Sequence, residues 1–158
     1  MAHVNDPAVI DRLMRTKGTW AVVGLTTNEW RSAYEVSLYV RDRMGMTIIP
    51  VNLPGDDVHG EKGYRSLTDI PAEKHPIDVV DCFVNSHRVG AVIDEAIAVG
   101  AKAVWLQLGV FDDAATDRAK AAGLDVVVNA CPAREGWRVA SDGPGMTINR
   151  SGRVGYKM

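Results

Sequence analysis

The sequence predicts a single α/β domain with a doubly wound, mostly parallel sheet. Short apolar runs recur along the chain, as expected of strands buried on both faces. Between them lie segments with helical apolar spacing, separated by short loops that contain Gly, Asn or Asp. The apolar runs cover 21–23, 46–51, 77–84, 103–106 and 124–128. This alternation predicts a Rossmann-like sheet in the strand order 3-2-1-4-5-6, with right-handed crossovers.

The first two helices carry clear local start and stop signals. Asp6 followed by Pro7 is typical of a helix start, because Asp caps free N–H groups and Pro suits the first turn. After the first apolar run, Ser32 is predicted as the N-cap of the next helix, with Glu35 completing a capping box. Gly45 stands where a glycine commonly ends a helix.

The later elements follow from the same kinds of signal. We expect a short edge strand near Tyr64 and one or two helical turns after Ser66. Ser86 is predicted to cap the helix after the fourth strand. Asp112 or Asp113 is predicted to cap an Ala-rich helix before the last strand.

Length and composition indicate one soluble domain. The 158 residues are enough for a single core, which we place at 1–136 including the N-terminal helix, with a C-terminal extension at 137–158. The net charge of −2 and the pI of about 6.1 give no sign of a nucleic-acid partner. No apolar run approaches the roughly 20 residues of a membrane span.

The N-terminal residues and the cysteines predict a cytoplasmic protein. Residues 1–6 lack the charged and apolar regions of a signal peptide. Cys82 and Cys131 are far apart and form no Cys-x-x-Cys pair. We interpret them as reduced thiols, with a disulfide as the alternative.

The segment between the first strand and the helix at Ser32 has the features of an anion site. Gly24 ends the strand, where the backbone can take an unusual φ or approach another chain segment closely. A helix N-terminus at a strand end presents free N–H groups and a partial positive charge. Thr26, Thr27 and Ser32 add hydroxyl groups, and Arg31 adds a formal charge. These features predict a phosphorylated cofactor; the alternative is a plain turn that faces water.

A conventional NAD site is disfavoured by two departures from its pattern. After Gly24, the next two glycines of the fingerprint would fall on Thr26 and Glu29. The ribose is usually held by Asp or Glu about 20 residues further on. Here the strand end carries Asn52 instead. Neither departure excludes a nucleotide of another kind.

Several short motifs occur in order along the chain. They are Val22-Val23-Gly24, the polar loop ending at Ser32, Ile49-Pro50-Val51-Asn52, the run 60–71, Val79-Val80-Asp81-Cys82-Phe83 and Val104-Trp105-Leu106-Gln107-Leu108-Gly109. Together they resemble the small CoA-binding proteins that are similar to the N-terminal CoA-binding domain of the succinyl-CoA synthetase α subunit. The resemblance covers about residues 15–135 and implies a Rossmann-like fold that binds coenzyme A.

The resemblance also implies where the parts of coenzyme A would lie. The phosphates would contact the loop after the first strand, at Gly24, Thr26, Thr27, Arg31 and Ser32. The nucleotide end would lie near Val51 and Asn52. The opposite wall would consist of Phe83, Val84 and Asn85, and Gln107 would approach the pantetheine. The 3′-phosphate would be bound by Lys62, Arg65 or Arg88.

The favoured function is binding of coenzyme A or an acyl-CoA without catalysis, with a homo-oligomer or an enzyme as partner. The first alternative is a small nucleotide-cofactor enzyme such as an NAD(P)-dependent oxidoreductase. The second is a Rossmann-like scaffold used for protein contact. Cys82 is interpreted as a core residue, with thiol chemistry on CoA disulfides or acyl groups as the alternative. No catalytic residue and no metal site is predicted.

Overall fold

A five-stranded parallel sheet forms the centre of the protein. The computed structural model describes residues 2–140, 146–148 and 154–156. The strands are β1 (Thr19–Val23), β2 (Thr47–Val51), β3 (Val79–Cys82), β4 (Ala103–Leu106) and β5 (Asp125–Val127). They lie in the order β2-β1-β3-β4-β5. A separate antiparallel pair consists of β6 (Met146–Ile148) and β7 (Val154–Tyr156).

The predicted order 3-2-1-4-5-6 counted one strand more than the sheet contains, an edge strand beside β2. The other five predicted strands lie in the observed order. The edge strand was expected near Tyr64, where the structure has a single parallel bridge between Tyr64 and Val51 of β2. The helical turns expected after Ser66 are hydrogen-bonded turns, and a 3₁₀ turn follows only at Ala72–Lys74. The fold class predicted from the sequence is confirmed.

Helices cover both faces of the sheet. They are α1 (Pro7–Arg15), α2 (Ser32–Leu38, continued by a π-helical turn at Tyr39–Arg43), α3 (Ser86–Ala98), α4 (Asp113–Ala121) and α5 (Pro132–Ala140). In β1, Ala21 and Val23 pack with α3 and α4, whereas Trp20 and Val22 pack with α1 and α2. Trp20 also lies against Trp105 of β4, with ring centroids 5.5 Å apart. Both faces of the sheet are therefore buried, as the continuous apolar runs predicted.

Two of the predicted helix caps are wrong. Arg31, in extended conformation, is the N-cap of α2, so Ser32 is the first helical residue and no side chain caps the helix. Asn85 caps α3, where its Oδ1 accepts hydrogen bonds from the amides of His87 and Arg88. In both cases the residue before the expected Ser already has the extended backbone that a cap requires.

Two other predicted caps are confirmed. Asp6 Oδ1 accepts a hydrogen bond from the amide of Ala8, and Asp112 Oδ1 accepts one from Ala115. Gly45 follows the π-helical turn with a φ of +74°, a conformation that favours glycine.

Gly24 follows β1 at the point where the strand order of the sheet reverses. The connection through α2 leads from β1 to β2 on one side, and the sheet continues from β1 to β3 on the other. Gly24 has a φ of +96°, and a Cβ at this position would overlap the carbonyl oxygen of Phe83. Ligands of doubly wound proteins bind in the crevice at such a switch point. Gly24 therefore sets how closely the β1 and β3 ends approach beneath this crevice.

A Gly24→Ala substitution should destabilise the fold more than Gly123→Ala does. Gly123 has a similar φ of +88° but nothing near its missing Cβ, so it reports the cost of the backbone conformation alone, about 1–2 kcal/mol. Position 24 adds the overlap with Phe83. Urea unfolding of both variants measures the difference. Equal losses in the free energy of unfolding would show that the close approach is not a constraint.

Candidate functional site

A two-part cleft lies over the carboxyl ends of β1 and β3. One part, the apolar end, has a volume of about 550 Å³ and includes Val36, Gln107, Leu108 and Cys131 in its lining. The other, the basic end, has a volume of about 500 Å³ and includes Arg65 and Arg88. The two parts share Gly24, Arg31, Phe83 and Val84. Each volume falls in the range usual for sites that hold small organic ligands.

The structure brings nearly all the predicted site residues to this cleft. Those that line it are Gly24, Thr26, Arg31, Ser32, Val51, Asn52, Phe83, Val84, Asn85 and Gln107. Thr27 is exposed and lines neither end. The loop, the two strand ends and the start of α3 therefore form one continuous surface.

The basic end presents guanidinium groups that lack acidic partners. Arg31, Arg65 and Arg88 are exposed and form no ion pair with any residue in the described ranges. Lys62, the other candidate for the 3′-phosphate, lies outside the cleft, 3.6 Å from Asp57. Unpaired guanidinium groups that converge on a cleft favour an anionic ligand with more than one phosphate.

The start of α2 leaves backbone donors available at the junction of the two ends. Thr26 Oγ1 accepts a hydrogen bond from Asn28 N, and Asn28 Oδ1 accepts one from Trp30 N, which fixes the loop. No side chain caps α2, and its first residues, Ser32 and Ala33, line the apolar end. Uncapped N–H groups at a helix start bind anions. The anion site stays a prediction; its helix start carries no side-chain cap, and Ser32 is not the cap.

Asn52 shapes the basic end instead of offering its amide to a ligand. Its Nδ2 donates to the carbonyls of Leu25 (2.9 Å) and Asp56 (3.0 Å), and its Oδ1 accepts from Asp56 N (2.8 Å). The residue is 5% exposed. An Asp here would face two carbonyl oxygens, so the absence of the acidic residue typical of NAD sites has a structural cause.

A buried polar pair lies under the apolar end. Asp81 of β3 is 0% exposed, and its Oδ1 accepts a hydrogen bond from Gln107 Nε2. Burial raises the pKa of Asp81 to about 7, and the hydrogen bond from Gln107 opposes that shift. This carboxyl group is therefore largely protonated in slightly acidic solution, unlike an exposed Asp.

The two cysteines have different environments, and both are free thiols. Cys82 is 0% exposed in the core, as the sequence predicted, and burial raises its pKa. Cys131 lines the apolar end immediately before α5. Burial raises its pKa, although the amides of Arg134 and Ala133 donate hydrogen bonds to it and lower the pKa in part.

Two residues that line the apolar end were not predicted from the sequence, Cys131 and Arg134. The available signal was the position of Cys131 after the last strand and before Pro132, a residue that favours the first turn of a helix. That pattern predicts an N-terminus at the same edge of the sheet as Gly24.

Two histidines near the cleft elements do not contribute to it. His59 Nε2 lies 3.0 Å from both Ser37 Oγ and the carbonyl of Tyr34, so it ties a loop to α2. His87 is exposed and lines neither end of the cleft. In the described part of the chain, no group of His, Cys, Asp and Glu is arranged to hold a metal ion. Nor does any helix there have the length and apolarity needed to cross a membrane.

The fold and the cleft define a Rossmann-like α/β protein with a cleft at its switch point, which is where such folds bind ligands. Residues 18–137 match the CoA binding domain family, and the chain belongs to this family. The resemblance found in the sequence motifs is therefore confirmed.

Individual relatives agree with this assignment. YneT of Bacillus subtilis (strain 168) is 32% identical over 124 residues, which cover 78% of this chain and 89% of YneT. A hypothetical protein from Pyrococcus horikoshii OT3 superimposes with a TM-score of 0.77 at 34% identity, covering 88% of this chain and 99% of its own. The α subunit of acetate–CoA ligase (ADP-forming) II from Pyrococcus furiosus is 28% identical over 96 residues, 61% of this chain but only 20% of the subunit.

The buried carboxyl group should make stability depend on pH. Because the pKa of Asp81 is about 7 in the folded protein against 3.8 ordinarily, the unfolded chain releases this proton first as the pH rises. The stability that protonated Asp81 contributes to the fold is fully present below about pH 4 and is lost as the pH rises to about 7. Over this pH range the free energy of unfolding should fall by roughly 4 kcal/mol because of Asp81.

Asp81→Asn should remove this contribution. The measurement is the free energy of unfolding of both proteins across this pH range, with the variant subtracted from the wild type so that other groups cancel. A difference that does not change with pH would contradict the burial of an isolated carboxyl group at this site.

Proposed function

We propose that the protein binds coenzyme A or an acyl-CoA in the cytoplasm, with no chemistry of its own. The observation that supports this most strongly is the two-part cleft, which has Arg65 and Arg88 at one end and Val36, Leu108 and Val110 at the other. Coenzyme A has the same division, with a nucleotide that carries phosphates at one end and an uncharged pantetheine thiol at the other. The ligase relative and the family assignment support the same ligand.

The cleft orients the ligand by charge. The 3′-phosphate and the adenosine occupy the basic end beside Arg65 and Arg88. The diphosphate lies over Gly24, against Arg31 and the amides of Ser32 and Ala33, where the two ends join. The pantetheine then extends along Phe83 and Val84 into the apolar end.

An oxidoreductase that uses NAD is the weaker proposal. Both amide hydrogens of Asn52 are donated to backbone carbonyls, and the residue has no carboxylate to accept hydrogen bonds from the ribose hydroxyls. Thermal unfolding with coenzyme A, acetyl-CoA, NAD and ATP separates the two proposals. A ligand at 100 times its Kd should add about 2.7 kcal/mol of stability. Stabilisation by NAD without stabilisation by coenzyme A would refute the proposal.

The arginines of the basic end should distinguish coenzyme A from 3′-dephospho-CoA. Arg65→Ala and Arg88→Ala should each weaken binding of coenzyme A by about 1–3 kcal/mol, because each removes a charge-assisted hydrogen bond to a phosphate. Their affinity for 3′-dephospho-CoA should stay close to that of the wild type. Isothermal titration calorimetry measures both affinities.

The matched control is Arg118→Ala, since Arg118 is an exposed arginine that pairs with Asp94 at 2.9 Å away from the cleft. It should leave both affinities unchanged. Equal losses for the two ligands in the variants at positions 65 and 88 would place the 3′-phosphate elsewhere.

A further inference from the structure

The carboxyl group under the apolar end has an oxygen without a partner. Asp81 Oδ1 accepts a hydrogen bond from Gln107, whereas Oδ2 is buried and has no hydrogen-bond partner in the described chain. Buried polar atoms are nearly always paired, so an orphan carboxyl oxygen needs an explanation. Protonation of the carboxyl group removes the desolvation cost of a buried charge and gives the group an O–H donor.

Protonation of Asp81 allows a second orientation of the Gln107 amide. An ionised carboxylate only accepts hydrogen bonds, so it takes the NH₂ group of Gln107 and leaves Oε1 as the amide atom toward the cleft. A protonated carboxyl group can donate to Oε1, and the amide then turns its NH₂ group toward the cleft. Gln107 is 6% exposed and lines the apolar end, so its outward atom is available to a ligand.

The two amide orientations suit different ligands. A thioester carbonyl accepts hydrogen bonds but cannot donate, so it requires the NH₂ group and is opposed by Oε1. A free thiol is a weak donor and a weak acceptor, so it discriminates little between the two. This asymmetry matters where the pantetheine terminus of coenzyme A reaches the apolar end.

We propose that Asp81 and Gln107 select CoA thioesters over free coenzyme A, and that a proton is taken up at Asp81 when a thioester carbonyl binds. This inference rests on the proposed function. Gln107 contacts the ligand, and Asp81 is a positioning residue that acts through it.

The surroundings of Asp81 allow this proton uptake near neutral pH. Burial raises the pKa of Asp81 to about 7, opposed by the hydrogen bond from Gln107. Besides burial, the charge of Asp81 raises the pKa of two neighbouring thiols, Cys82 on the same strand and Cys131 at the start of α5. Burial raises the pKa of both thiols, so they stay neutral while Asp81 titrates.

The test is the ratio of the affinities for acetyl-CoA and coenzyme A, measured by calorimetry at about pH 6 and about pH 8, on either side of the Asp81 pKa. The phosphates are common to both ligands, so their titration cancels in the ratio. The ratio should fall about tenfold between the two pH values, following the protonated fraction of Asp81. A ratio that does not change with pH overturns the inference.

Asp81→Asn should abolish this pH dependence, because an amide at position 81 always has a donor for Gln107 Oε1. Asp78→Asn is the matched control. Asp78 accepts from Thr19 N at 2.7 Å before the same strand and lies outside the cleft, so its variant should keep the dependence. A pH dependence that survives in Asp81→Asn overturns the role of Asp81.

A readout in the wild type covers the case in which a variant does not fold. The side-chain amide resonances of Gln107 should shift with the protonation of Asp81, and acetyl-CoA should raise the midpoint of that titration more than coenzyme A does. An equal effect of both ligands overturns the selection. Failure of both ligands to bind at either pH would refute the proposed function itself, which is a distinguishable result.

Discussion

The close approach of Gly24 to the Phe83 carbonyl is the constraint on which the cleft depends. It brings the ends of β1 and β3 together without a side chain between them, at the point where the helix connections diverge to opposite faces. The loop to α2 can then leave the sheet sideways, and the first amides of that helix reach the crevice. A larger residue would fill the floor on which both ends of the cleft meet.

The chemistry of the site depends on whether a side chain caps the first amides of each neighbouring helix. Asn85 caps α3 and uses two of its free amides, whereas α2 has no side-chain cap. Both helix starts lie at the cleft, but only the start of α3 has a side-chain cap. Arg65 and Arg88 then add charge at the basic end, and the Asp81–Gln107 pair adds hydrogen-bonding capacity under the apolar end, which Arg31 and Arg134 also line.

Much of this architecture could be predicted because it is encoded locally. Continuous apolar runs identified the strands, and Gly24 and Gly45 marked backbone conformations that few other residues adopt. The caps at Ser32 and Ser86 were mispredicted because the choice between adjacent polar residues depends on where the backbone turns, which tertiary contacts decide. Cys131 and Arg134 were missed because they reach the cleft from α5, far from the loop in sequence. The orphan oxygen of Asp81 has no sequence signal, since it depends on what the other elements fail to provide.

The most direct test of the central claim is a crystal structure of the protein with coenzyme A at saturating concentration. We expect diphosphate oxygens within hydrogen-bonding distance of the Ser32 and Ala33 amides above Gly24, with the thiol directed toward Gln107. An empty cleft above Gly24, or a nucleotide bound to another surface, would contradict it.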